Sequence, residues 1–134
     1  MIVVDTNVIS YLMLPGTHTA KAQDAFRKDS EWAAPLLWRS EFRNVLSTYL
    51  RRGQVSLEAV LQLMNEAQGL MSGREYEVPS ERVFALASQS KCSAYDCEFV
   101  ALAQDLGVVL VTSDSRVLRA FPDRAVSLTE FAAK

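Results

Sequence analysis

The sequence predicts an α/β fold built on a parallel sheet covered on both faces by helices. Three observations predict it. The apolar runs Ile2-Val3-Val4 and Val108-Val109-Leu110-Val111 lack polar alternation, as strands buried on both sides do. Between them lie segments of helical period, which serve as crossovers between parallel strands. The 134 residues, 49% apolar and 22% charged, suit one domain with its own core, expected over residues 1–134.

The elements follow in order. Residues 2–5 read as a strand, and 6–14 as a short helix stopped by Pro15-Gly16. Residues 19–29 read as an exposed amphipathic helix capped by Thr17 or Thr19. Trp32-Ala33-Ala34 is a short strand ending at Pro35. Residues 36–52 form a helix stopped by Gly53, and Ser56 caps a second that Gly69 ends near Gln68, making a helical hairpin. Residues 75–78 are a short strand or an extended link. Pro79-Ser80-Glu81 opens a helix to about Ser90, and Ser93 opens another that Gly107 closes. Residues 108–114 are the clearest buried strand, 115–120 a short helix and 125–128 a last edge strand.

Composition narrows the function. The net charge of −2 disfavours a broad non-specific nucleic-acid binder. No apolar run approaches the ~20 residues of a membrane span, and no leader precedes the first strand. Cys92 and Cys97 have neither C-x-x-C nor zinc spacing and read as two reduced thiols. A cytoplasmic protein is expected. No P-loop, G-x-G-x-x-G or G-x-S-x-G is present, and the single histidine, His18, reads as a surface loop residue.

Most acids, among them Asp24, Asp29, Glu58, Glu66, Glu98 and Asp105, fall on solvated helix faces. Four do not. Asp5 and Asp114 each follow a buried strand, and ligands of open parallel sheets sit at carboxyl ends of strands. Either acid also suits a helix cap. Glu41 lies about 60° from the Trp38, Phe42, Val45, Tyr49 line, at the border of a packed face. It reads as a site residue, or as a snorkelling or ion-paired one. Asp96 falls about 60° from Phe99, inside the apolar arc of Tyr95, Phe99, Leu102, Ala103 and Leu106. Ser93-x-x-Asp96 also fits a capping box, and the two roles are compatible. Clustered carboxylates repel and raise one another's pKa unless positive charge joins them. An all-oxygen set points to Mg²⁺ or Mn²⁺ rather than zinc.

The segments VVDTNVIS, PLLWRSEFRNVL, SAYDCEFVALA and LVTSD…FP, in this order and spacing, resemble a PIN domain, and within that family the VapC-type toxins of toxin–antitoxin pairs. The likeness runs from Ile2 to about Leu128. It implies a three-layer α/β/α sandwich with a mostly parallel sheet. It implies a Mg²⁺- or Mn²⁺-dependent endoribonuclease whose metal-binding, catalytic acids match Asp5, Glu41, Asp96 and Asp114. Thr6, Asn7 and Thr112 match supporting positions, and Ser113 joins them as a neighbouring hydroxyl. An RNA substrate, an antitoxin partner and a homodimer are implied as well. Many relatives carry a further acid after the last Asp, where this chain has Ser115 and Arg116, and Lys91-Cys92 replaces a smaller or apolar pair. Arg39, Arg43 and Arg116 read as phosphate holders or as plain surface charges. The alternative is a catalytically inactive PIN-like module that binds RNA or protein. A phosphotransferase with Asp5 as nucleophile is disfavoured by Asn7, where such enzymes carry a second Asp.

Overall fold

A computed structural model describes residues 1–133. Its centre is a five-stranded, all-parallel sheet of order β3-β2-β1-β4-β5. In chain order the elements are β1 (Ile2–Val4), α1 (Thr6–Met13), α2 (Thr19–Lys28), β2 (Trp32–Pro35), α3 (Leu37–Arg51), α4 (Leu57–Met71), β3 (Glu75–Tyr76), α5 (Ser80–Ser88), α6 (Ala94–Leu106), β4 (Leu110–Thr112), α7 (Ser115–Ala120), β5 (Ala125–Ser127) and α8 (Leu128–Ala133).

The expected α/β/α architecture is present. Helix α6 lies against β1, β2 and β4, with α5 packed on it. A second helical layer comprises α1, α2, α3, α4 and α8, in which α1 meets α2, α3 and α4, and α2 meets α8. The three central strands are buried throughout, which is why β1 reads as an unbroken apolar run, whereas of the run from Val108 to Val111 only Leu110 and Val111 lie in buried β4 and Val109 is exposed. Val3 pairs with Ala33 on one side and Leu110 on the other. The chain leaves central β1 outward to β2 and β3, then returns to β4 and β5. The order reverses between β1 and β4, and a topological switch point opens a crevice beyond the carboxyl ends of both strands.

Several boundaries differ from those expected, each for a local reason. Helix α4 passes through Gly69 to Met71 because Met64, Ala67 and Met71 continue one buried stripe. That burial outweighs a glycine penalty of about 1 kcal/mol. The chain turns instead at Gly73, whose φ is +81°. Strand β4 starts late because the Val108 N–H bonds the Ala103 carbonyl at 3.0 Å, completing the cap that left-handed Gly107 makes on α6. The start of α2 lies at His18, whose side chain makes no cap bond. Thr19 braces the preceding turn: its hydroxyl accepts from Gly16 N and donates to the Leu14 carbonyl, both at 3.0 Å. Helix α8 was not expected. Its signal is Ser127-x-x-Glu130, with the Glu130 N–H donating to Ser127 Oγ at 3.1 Å. In α6 all of Cys97 and Phe99 to Ala103 is buried, so a single apolar arc describes it poorly, and Tyr95 is 62% exposed rather than in the core. Among the described residues no helix is long and apolar enough to cross a membrane.

The end of α4 gives a paired prediction. A Cβ at Gly69 would meet nothing within 4 Å, in a helical backbone. Gly69→Ala should therefore stabilise the fold by up to about 1 kcal/mol. Gly73→Ala should destabilise it by about 1–2 kcal/mol, because the left-handed conformation crowds a Cβ. Urea unfolding of the two variants measures the opposite signs.

Candidate functional site

The switch-point crevice is a cleft of about 430 Å³, and Asp5, Glu41, Asp96 and Asp114 all line it. Four different elements deliver them, so the grouping depends on the sheet order rather than on nearness in sequence.

Asp5 follows β1 and caps α1. One carboxylate oxygen, Oδ1, accepts from Val8 N at 3.0 Å. The other, Oδ2, accepts from the Thr112 hydroxyl at the end of β4 and from Ser113 N at 3.4 Å. The same Thr112 Oγ1 accepts from Asp114 N at 3.0 Å. Asp114 repeats the pattern at α7: Oδ1 accepts from Arg116 N at 2.8 Å and Val117 N at 3.3 Å. Its Oδ2 accepts nothing from the described residues.

Glu41 projects from α3, beside Val45 and Asn44, which also line the cleft. Thr6 Oγ1 donates to Glu41 Oε1 at 2.6 Å. Asp96 sits in the first turn of α6, where its backbone N–H donates to Ser93 Oγ at 3.1 Å. The return bond of a capping box is absent, and its carboxylate makes no hydrogen bond to the described residues. The first turn of a helix still favours its negative charge.

The supporting residues divide unevenly. Thr112 holds Asp5, and Thr6 holds Glu41 rather than Asp5. Asn7 lines the cleft but its side chain makes no hydrogen bond to a described residue, so it does not brace Asp5. The Ser113 hydroxyl lies 3.3 Å from Tyr11 Oη, turned away from the carboxylates, and only its backbone N–H reaches Asp5. Of the arginines, Arg39 is taken. Its Nε and Nη2 donate to the two oxygens of Glu75 at 2.5 and 2.6 Å, and Trp38 Nε1 donates to the same carboxylate at 2.7 Å. The bonds from Arg39 hold the Glu75 carboxyl below its usual pKa. Sequence reading missed this clamp, which joins α3 to β3 across 36 residues. It also placed Glu98 on a solvated face. Glu98 is half-buried, and its carboxyl is pushed up first by burial and then by the charge of Glu41.

Electrostatically the cleft is unneutralised. Every ion pair among the described residues lies elsewhere. Burial pushes the Asp5 carboxyl up to about 6, with Asp114 adding to the rise while the Thr112, Val8 and Ser113 hydrogen bonds oppose it. Burial likewise raises Glu41, the bond from Thr6 opposes, and the charge of Asp96 adds. Among the described residues no three acidic, His or Cys groups stand close enough to clasp one ion as they are. The donors are thus an Asp5–Asp114 side and a Glu41–Asp96 side. All are hard oxygens, and an ion that keeps several waters and takes one or two carboxylates at a time fits such a set.

A parallel sheet with a carboxylate-lined crevice at its switch point defines the class: an α/β protein with four acidic residues gathered beyond the ends of β1 and β4. The model of the PIN domain matches residues 2–122. The chain belongs to the PIN-domain family. It is similar to Ribonuclease VapC3 of Pyrobaculum aerophilum, with 27% identity over 124 residues, 90% of this chain and 95% of that protein. Its fold is similar to a crystal structure from Pyrobaculum aerophilum, with TM-score 0.75, 22% identity and 99% and 97% of the two chains covered. It is also similar to a toxin–antitoxin complex from Klebsiella pneumoniae, with TM-score 0.72, 20% identity and 96% and 98% covered.

The raised Asp5 carboxyl predicts how the metal-free protein responds to pH. Asp5 binds its proton more tightly folded than unfolded. Its contribution to stability is therefore full below pH ~4 and is lost as pH rises through about 6. The loss is at most about 3 kcal/mol. Thermal melts in EDTA should show the wild type weakening across this window, with a flatter profile for Asp5→Asn.

Proposed function

We propose that this protein is a Mg²⁺- or Mn²⁺-dependent endoribonuclease and the toxin of a toxin–antitoxin pair. The observation that carries the reading is the cleft itself: four carboxylates from four elements, none of them paired with a described cation. The likeness to a protein named a ribonuclease and to one solved as a toxin–antitoxin complex supports the substrate class and the biological role.

In this reading Asp5 and Asp114 would hold an ion from one side of the cleft and Asp96 from the other through bound water, with Glu41 at its edge. A bound ion would lower the pKa of a water and offset charge on the phosphate. The chain's own residues do the rest. Val8 N and Thr112 Oγ1 fix both oxygens of Asp5, so the carboxylate presents one edge in a set direction. Arg116 N and Val117 N hold Asp114 Oδ1 and leave Oδ2 without a hydrogen bond from the described residues. Thr6 occupies Glu41 Oε1, which leaves Oε2 to take the proton of the attacking water as general base. The raised pKa of Glu41 suits that task. Arg43 and Arg116, both exposed, remain available for phosphates.

An antitoxin would enter the same crevice, an arginine of its own meeting the carboxylates in charge-assisted bonds. Two buried free thiols, Cys92 and Cys97, suit the reducing cytoplasm. Self-association would use α4, where Leu57 and Leu61 are 61% and 58% exposed one turn apart. Leu61→Asp should then shift the protein from dimer to monomer in sedimentation equilibrium without lowering its melting temperature.

Cleavage of total RNA with Mg²⁺ tests the activity. Asp5→Asn and Asp96→Asn should reduce it to background, and Glu41→Gln should lower kcat by roughly 10²–10⁴-fold. Wild-type rates in either Asp variant would overturn the assignment. Mg²⁺ or Mn²⁺ should also raise the melting temperature of the wild type, by an amount equivalent to about 2.7 kcal/mol at a hundredfold excess over Kd, and leave Asp96→Asn nearly unmoved.

A further inference from the structure

Beside the cleft, on its α1 side, lies an aromatic pair that the proposed chemistry does not use. Asn7 lines the cleft, and Tyr11 stands one turn later on the same face of α1. The Tyr11 hydroxyl lies 3.3 Å from Ser113 Oγ, and the Ser113 N–H reaches Asp5 Oδ2 at 3.4 Å. Tyr11 is therefore one residue away from a cleft carboxylate. The ring of His18 rests on Tyr11, with centroids 4.5 Å apart and planes at 36°. His18 is exposed, and its imidazole makes no hydrogen bond to a described residue. Core packing accounts for neither its position nor its stacking.

We propose that Tyr11 and His18 form a stacking platform for an unpaired RNA base next to the phosphate held in the acidic cleft. This rests on the ribonuclease reading and extends it to single-stranded substrate. The charge balance argues for such a device. The chain carries −2 overall and its cleft is lined with carboxylates, so general attraction for phosphates is poor. Stacking does not depend on that charge, and every base has a face to offer. RNA proteins that read single strands use tyrosine and histidine in this way, whereas a duplex keeps its base faces covered. Tyr11 is held at its hydroxyl by Ser113 and across its ring by His18, so little ordering is left for binding to impose.

The test is binding of a short single-stranded RNA carrying 2-aminopurine to the Glu41→Gln protein with Mg²⁺, in which cleavage is slowed and the ion-holding aspartates stay in place. In that background His18→Ala and Tyr11→Ala should each raise Kd roughly 5- to 100-fold and relieve the quenching of 2-aminopurine, while His18→Phe retains both. A duplex of the same sequence should compete poorly. An unchanged Kd and unchanged quenching in His18→Ala, whose exposed ring can be removed without disturbing the fold, would overturn the proposal even if Tyr11→Ala failed to fold. Equal competition by duplex, or no binding by the Glu41→Gln parent, would overturn it as well. Loss of the ribonuclease reading would be seen separately, as a wild-type protein that cleaves no RNA.

Discussion

One hydroxyl ties the centre of this molecule together. Thr112, 1% exposed at the end of β4, donates to Asp5 beyond β1 and accepts from the backbone of Asp114. Adjacent parallel strands end side by side here, and the chain continues from each into a helix that needs a cap. Two carboxylates brought this close repel, and both lose water. The hydroxyl offsets part of that, yet burial still pushes Asp5 up to about 6. Valine would fit the same strand position, since it shares the β-branched shape that strands favour. It would leave Asp5 Oδ2 without its hydroxyl donor and Asp114 N without its acceptor.

The other wall of the cleft is set from farther away. Glu41 depends on how α3 is rotated, and that rotation is gripped at the helix start. Trp38 and Arg39 converge on Glu75, whose side chain is 12% exposed against 34% for Arg39. A partly buried ion pair of this kind adds little net stability, because desolvation opposes the Coulomb attraction. Its forked geometry adds direction instead. The short outer strand β3 thus orients a residue on the far side of β2, and buried Trp38, Phe42 and Leu46 lock the helix in that orientation.

What could be read from sequence follows from the range of the interaction concerned. The strand ends at Asp5 and Asp114 were legible because buried parallel strands leave unbroken apolar runs, and a polar residue ending such a run stands out. The caps at Ser56 and Ser93 were legible because capping acts over three residues. Gly69 misled because glycine propensity is weak beside the burial of Met71, which carries the helix past it. The Arg39–Glu75 clamp left no trace, since nothing local links residues 36 apart. Ser113 looked like a carboxylate support because hydroxyl and carboxylate are neighbours in sequence, but at a strand end successive side chains diverge. Its partner is Tyr11, on another helix.

Capping alone does not account for the acid cluster, and the individual oxygen atoms show why. A cap occupies Oδ1 of Asp5 and Oδ1 of Asp114. It occupies neither oxygen of Asp96, although that residue sits where a capping box would use it, and Glu41 caps nothing. Asp114 Oδ2, Glu41 Oε2 and both Asp96 oxygens accept no hydrogen bond from the described residues, none of them is sealed from solvent, and their residues line the cleft. If these acids served only the fold, asparagine would do as well at both caps, since it ranks with aspartate there and carries no charge. The fold would then gain what burying and crowding the charges now costs. Four carboxylates lining one cleft at that cost leave a charge that the proposed cation would offset.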